Sequence, residues 1–202
     1  MKNLLSKRTL NKYSRQIILK DVGIIGQKKI FNSKILVVGA GGLGSPVIDL
    51  LVRAGVGFLG IIEDDKVDYS NLHRQTLYDY NDVGKYKSDV IRKKIKLINN
   101  KIKLKIFKER ANDKNLSKIL PKFDIIVDGT DNFPTKFLLN KYSLKYRKKL
   151  VIGAISKFDG HIFSFDFSQK KIPCLNCFYQ GMPSDEILNC EYEGILGTVA
   201  GI

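Results

Sequence analysis

The stretch 34–44, KILVVGAGGLG, constrains this chain more than any other part of it. A short apolar run, Ile35 to Val38, leads directly into Gly39, Gly41, Gly42 and Gly44. The residues that follow, SPVIDLLVRAG, carry the apolar spacing of a helix over Ser45–Ala54. Glycines spaced G-x-G-x-x-G between a strand and a helix let the chain turn tightly and bring its backbone close to a phosphate. The start of the helix adds unpaired N–H groups and a partial positive charge. Glu63 ends the next strand-like run, FLGIIE. It falls about 20 residues after the glycines, where an acid that holds ribose hydroxyls is expected. A nucleotide site is therefore expected at the centre of the fold. Alone, the motif suits NAD as well as ATP, and Glu63 does not separate them, since both carry ribose.

The periodicity extends this start into an α/β chain. Residues before Lys34 read as a helical lead-in (1–33) interrupted at Gly23 and Gly26. Strands are expected at Lys34–Gly39 and Phe58–Glu63, joined by the first helix in a right-handed βαβ unit. Ser88 reads as the N-cap of a helix with Ile91, Ile95 and Ile98 on one face and Arg92, Lys93, Lys94 and Lys96 mostly opposite. Further strands are expected at Leu104–Lys108, Phe123–Asp128 and Leu150–Ala154, with helices at Asn115–Leu120 and Pro134–Tyr146. The alternation of GHIFSFDF, Gly160–Phe167, predicts an antiparallel strand. The expected fold is a Rossmann-like, mostly parallel sheet over 34–156 with a C-terminal antiparallel extension over 157–202. The ending, EGILGTVAGI, has the pattern of an apolar helix cut short, so a truncated chain is expected.

Between Glu63 and Ser88 lies a polar passage, DDKVDYSNLHRQTLYDYNDVGKYK, with no clear period. It reads as loop with short turns, and loops of this length in compact domains are usually functional. Asp131, in GTDN, follows the fourth strand, at the edge where open α/β sheets bind ligands. A carboxylate there suits magnesium, and an N-cap role for Asp131 is the alternative. Asp65, beside Glu63, is a second acidic candidate, and Asp128 reads as structural.

The formal net charge is +15. The lysines are dispersed and no nucleic-acid motif accompanies them, so they read as solvated helix faces that would help attract an acidic partner. No apolar run approaches the roughly 18 residues of a membrane span, and the N-terminus lacks a signal peptide's apolar stretch. A soluble, cytoplasmic protein with neither membrane nor nucleic-acid partners is expected. Three cysteines, Cys174, Cys177 and Cys190, do not suggest a disulfide framework. Cys174 and Cys177 form C-x-x-C, which serves either as half a zinc site or as a redox pair. The thioredoxin arrangement, a pair opening a helix after an early strand, is not expected.

The segments YSRQI, GAGGLGSP, SNLHRQ, VGKYK, DGTDN, PCLNC and CEYEG occur in one order from Tyr13 onward. In that order the chain resembles the ThiF/MoeB/HesA adenylyltransferases, bacterial relatives of ubiquitin-activating enzymes. The resemblance implies an ATP- and magnesium-dependent enzyme. Such an enzyme adenylylates the C-terminal glycine of a MoaD- or ThiS-like ubiquitin-fold sulfur carrier, in molybdopterin or thiamine biosynthesis, and releases pyrophosphate. It implies that Arg74 and Lys87 contact the phosphates and that Asn71 polarises a phosphate oxygen or orients Arg74. It places Asp131 on magnesium and Glu63 on the ribose. Arg15 matches an arginine that reaches into a partner subunit's site, which implies a homodimer. In relatives the C-x-x-C pair joins a second such pair to hold zinc, and this sequence lacks the second pair. Cys190 matches a cysteine that some relatives use in thiol chemistry with the carrier. Two rival readings are an NAD-dependent oxidoreductase and a non-catalytic, carrier-binding remnant.

Overall fold

The computed structural model describes residues 5–181 and 194–201. Three helices, α1 (Lys7–Lys12), α2 (Ser14–Ile17) and α3 (Gly23–Asn32), form the lead-in. Then come β1 (Lys34–Val38), α4 (Gly44–Ala54), β2 (Phe58–Ile62), α5 (Lys87–Ile98), β3 (Lys103–Phe107), α6 (Asp113–Ile119) and β4 (Ile125–Asp128). The chain continues through α7 (Phe133–Lys145), β5 (Lys149–Ser156), β6 (Asp159–Asp166), α8 (Leu175–Tyr179) and α9 (Gly197–Gly201).

The strands form one sheet in the order β3-β2-β1-β4-β5-β6. The first five run parallel, and β6 turns back antiparallel along β5 from Ser156↔Asp159 to Lys149↔Asp166. The apolar run in β1 shows why the sheet is covered on both faces. Ile35 and Val37 point to one side and Leu36 and Val38 to the other, as the two-residue period of a strand requires. On the first side lie Ile48 and Val52 of α4 and Ile91 and Ile95 of α5. On the second lie Leu116 and Ile119 of α6, Phe123, and Leu139 and Tyr142 of α7. Each fully buried Leu or Ile in these layers contributes about 1.5–3 kcal/mol.

Helix termini follow the local chemistry. Gly55 ends α4 in the left-handed region, φ 91°, the usual glycine stop. Ser88 is not the N-cap of α5: Tyr86 occupies that position, and Ser88 sits in the first turn with its hydroxyl buried. Nor does Asp131 cap α7, because Asn132 Oδ1 accepts the hydrogen bond from Thr135 N–H at 3.0 Å.

The polar passage between β2 and α5 contains two short 3-10 turns, Tyr69–Asn71 and Tyr80–Asp82. Its two ends lie side by side. Val67 N–H donates to the Lys85 carbonyl at 2.8 Å, Gly84 N–H to Val67 at 2.8 Å, and Lys87 N–H to Asp65 at 2.9 Å. The C-terminal segment returns to the sheet through Lys157 N–H to the Gly194 carbonyl and Leu196 N–H to Lys157. It ends in α9, whose Ala200 is buried close to Gly42. Among the described residues, no helix is long and apolar enough to cross a membrane.

Candidate active site

The sheet register sets the site. Val38 pairs with Ile62 on one side and Asp128 on the other, so β1, β2 and β4 end level. Beyond their carboxyl ends opens a cavity of about 230 Å³. Gly39, Gly41, Gly42, Glu63, Asn71, Arg74, Lys87 and Asp131 all line it. Eight residues spread over more than 90 positions of sequence thus meet at one place.

The glycine loop is built by two close approaches. Gly39 has φ +83°, and its amide donates to the Ile62 carbonyl at 3.0 Å. Gly44 does not line the cavity. It begins α4, where a side chain would run into the Gly39 carbonyl, so its role is to let the helix sit directly on the loop. The start of α4 therefore lies directly behind the cavity-lining Gly41, Gly42 and Leu43, where a helix N-terminus favours an anion.

Glu63 is buried and clamps two backbone segments. Its Oε2 accepts from Ala40 N–H at 2.7 Å and its Oε1 from Asp65 N–H at 2.8 Å. Tyr78 Oη donates to the Ala40 carbonyl at 2.8 Å. Burial first, and then the carboxylates of Glu63, Asp65 and Asp82, push the Tyr78 phenol upward, so it stays a donor. Each oxygen of Glu63 keeps a further lone pair for a ribose hydroxyl.

Lys87, the first residue of α5, is buried, and its Nζ lies 3.2 Å from Asp65 Oδ2. Asp65 is therefore the counter-ion that holds this cation at the cavity wall. Arg74 Nη1 donates to the Ser70 carbonyl at 3.1 Å and lies 2.8 Å from His73 Nε2. Among the described residues it has no carboxylate partner, so its charge is open to an anion. The Asn71 carbonyl accepts from the amides of Arg74 and Gln75, so Asn71 meets Arg74 through its main chain. Asp131 is exposed, with Oδ1 accepting from Asn132 Nδ2 at 3.3 Å. With no cationic partner among the described residues, this carboxylate fits a magnesium ion, which typically takes few carboxylates together with phosphates.

The cavity also holds residues that the sequence reading missed. Gln75 and Lys136 are buried in its wall, and Arg110 lies just past the end of β3. The strand-end rule points to Arg110. Lys136 gives no local signal, because it reads as an ordinary helix lysine.

Arg15 lies outside the cavity. It is exposed on α2, beside the exposed Ile18 and Leu19, and α3 adds the exposed Ile24 and Ile25. Cys174 and Cys177 stand with their sulfurs 3.8 Å apart. This matches the edge of a tetrahedron with Zn–S bonds of 2.3 Å, about 3.8 Å. Contrary to the sequence reading, the pair does open a short helix: Cys174 is the N-cap position of α8, although a late strand precedes it. Burial opposes ionisation of Cys174. Hydrogen bonds from the Cys177 amide, the Asn140 side chain, the Cys177 thiol and the Asn176 amide outweigh it and hold the thiol below its ordinary value. Among the described residues no third ligand joins the pair. Cys190 lies outside the described residues.

Residues 13–202 match the ThiF family. The chain is 38% identical to the sulfur carrier protein adenylyltransferase of Thermus thermophilus, over 98% of the chain and 74% of that relative. It is 37% identical to a probable molybdopterin-synthase adenylyltransferase of Gracilaria tenuistipitata, over 98% of the chain and 55% of the relative. It is 39% identical to the adenylyltransferase and sulfurtransferase MOCS3 of Drosophila persimilis, over 98% and 44%. The chain thus spans about half the length of most of these relatives. Among solved structures, that of E. coli MccB with ATP is similar, with a TM-score of 0.75 and 28% identity over 84% of the chain and 52% of MccB.

Proposed function

The chain belongs to the ThiF family, and from that premise we propose that it uses ATP to adenylylate the C-terminal glycine of a ubiquitin-fold sulfur carrier. The observation that carries the reading is the cavity at the strand ends. It sets the buried Lys87 with Arg74 and Asp131, neither of which has an ion-pair partner among the described residues, around a glycine loop and a helix N-terminus. We take the carrier to be MoaD- or ThiS-like, in molybdopterin or thiamine biosynthesis; one relative's name carries a sulfur carrier protein and another's molybdopterin synthase.

The chemistry follows from charge. A carboxylate oxygen of the carrier attacks the α-phosphorus, the bond to the β-bridging oxygen breaks, and pyrophosphate leaves. Both reactants are anions, and the barrier is largely repulsion together with charge that builds on the phosphate oxygens. Arg74, Lys87 and the N-terminus of α4 offset that charge from fixed positions. Glu63 orients the ribose, and the cavity above the strand ends positions the carrier's tail. Asp131 would hold the magnesium ion, which supplies further charge neutralisation when bound.

ATP–pyrophosphate exchange, run separately with a ThiS-like and a MoaD-like carrier, tests this. Carrier-dependent exchange with one of them is expected, and it names the pathway. Absence of exchange with both, from folded protein, would sink the reading.

We assign residues 157–202 to carrier docking, with 34–156 as the ATP-binding part. Exposed Phe158, Ile162 and Phe178 around β6 suit an apolar carrier surface. We also propose a homodimer in which Arg15 reaches the partner's cavity, supported by the exposed apolar residues beside it. Substituting Ile18 and Ile25 with Glu is expected to shift the protein to monomer in sedimentation velocity and to lower exchange about a hundredfold. A monomeric variant with full activity would remove Arg15 from the mechanism. Cys174 and Cys177 are proposed as two zinc ligands, and Cys190 as a thiol that meets the carrier.

A further inference from the structure

The motif DGTDN contributes Asp131 to the site, yet its first aspartate and its threonine have no part in the chemistry above. The structure gives them one. Asp128, at the end of β4, is buried. Its Oδ1 accepts from Thr130 N–H at 2.9 Å and Thr130 Oγ1 at 2.6 Å. Its Oδ2 faces Lys136 Nζ at 3.3 Å. Lys136 comes from the first turns of α7 and is itself buried, with Nζ also donating to the Thr130 carbonyl and to the Gly153 carbonyl of β5, both at 2.7 Å. One ammonium thus ties together the end of β4, the loop after it, α7 and β5. All three of its protons are spent on protein oxygens, so it has none left for a ligand.

The same loop is fixed on its other side. Gly129 N–H donates to the Val38 carbonyl at 2.9 Å. A side chain at Gly129 would meet Gly44 N and Cα at 2.9 Å, so the loop rests against the start of α4 and the glycine loop. Residue 131 is the first position beyond these anchors. We propose that Lys136 is a positioning residue. Through Asp128 and Thr130 it holds the 129–132 loop so that the Asp131 carboxylate meets a metal ion at a fixed distance from phosphates on the glycine loop. This rests on the reading of Asp131 as the magnesium ligand. Groups that orient a metal-ligating carboxylate set its affinity, and losing one typically costs about 10–100-fold.

The test uses manganese as the probe, with the non-hydrolysable analogue AMPCPP, and reads free Mn²⁺ by electron paramagnetic resonance. Lys136→Met alone leaves Asp128 a buried unpaired charge, so Asp128→Asn is combined with it to keep the pair neutral. The double variant is expected to bind Mn²⁺ about tenfold more weakly, with metal-free AMPCPP binding unchanged. Lys136→Arg, which keeps the charge, is expected to restore most of the affinity. Amide hydrogen exchange at Thr130, Asp131 and Asn132 is expected to speed up in the double variant. Unchanged Mn²⁺ affinity in the folded double variant overturns the proposal. Asp131→Ala serves as the control for the underlying reading. If that variant binds Mn²⁺ normally, the magnesium assignment fails, and the exchange rates at 130–132 alone decide whether Lys136 holds the loop. Unchanged rates there overturn the proposal as well.

Discussion

Asp131→Ala is expected to lower carrier-dependent ATP–pyrophosphate exchange about a thousandfold, the scale seen when a group that offsets transition-state charge is removed. The fold should hardly notice. Asp131 is exposed, it is not the cap of α7, and its hydrogen bond to Asn132 is long at 3.3 Å. Changes at such surface positions usually stay within about 0.5 kcal/mol, or about 2 °C of melting temperature for a chain of this size. Melting followed by circular dichroism, alongside the exchange assay, separates the two effects. Exchange at the wild-type rate would remove Asp131 from the reaction. A melting temperature lowered by 10 °C or so would show that the residue matters for folding instead.

Gly44→Ala should do the opposite, striking the fold before the chemistry. The added methyl points at the Gly39 carbonyl, which is main chain and has little room to give. Gly39 is fixed by its left-handed φ and its bond to the Ile62 carbonyl, and Gly129 packs behind it. Relief therefore requires α4 to lift from β1, which loosens Ile48 and Val52 in the first core layer. Overpacking of this kind costs about 3 kcal/mol or more. The expected result is a melting temperature lower by about 10 °C and loss of ATP binding, measured by circular dichroism and by titration calorimetry. Native stability with intact ATP binding would mean that the close contact between helix and loop is dispensable.

How much of this was legible before the structure depends on how local each signal is. The glycine loop, the apolar run of β1 and the spacing of Ile91, Ile95 and Ile98 are local, and the structure holds them as expected. The strand ends shift by one or two residues, as with β4, which begins at Ile125 rather than Phe123. Phe123 is as apolar as a strand residue, but it fills the second core layer from a turn. Ser88 misleads because its residue type favours a cap, while the chain's return onto Lys66 puts Tyr86 there. The site was legible where a motif or a strand end marks it. Gln75 and Lys136 were not, because their placement depends on contacts across the fold. Lys136 reaches Gly153, 17 residues away, and Glu63 reaches back 23 residues to Ala40. Nothing near either residue in sequence announces such a partner.

The zipped ends of the passage between β2 and α5 have an evolutionary consequence. Because Asp65, Val67, Lys85 and Lys87 close its base with main-chain hydrogen bonds, the residues between them form a cassette. Doubling the length of such a closed loop costs only about 0.6 kcal/mol. Insertions and deletions around Tyr80 would leave the sheet register untouched, while Arg74 stays anchored near the base by Ser70 and Asn71. A chain built this way can exchange the outer part of the cassette while its cavity-lining arginine keeps its place throughout.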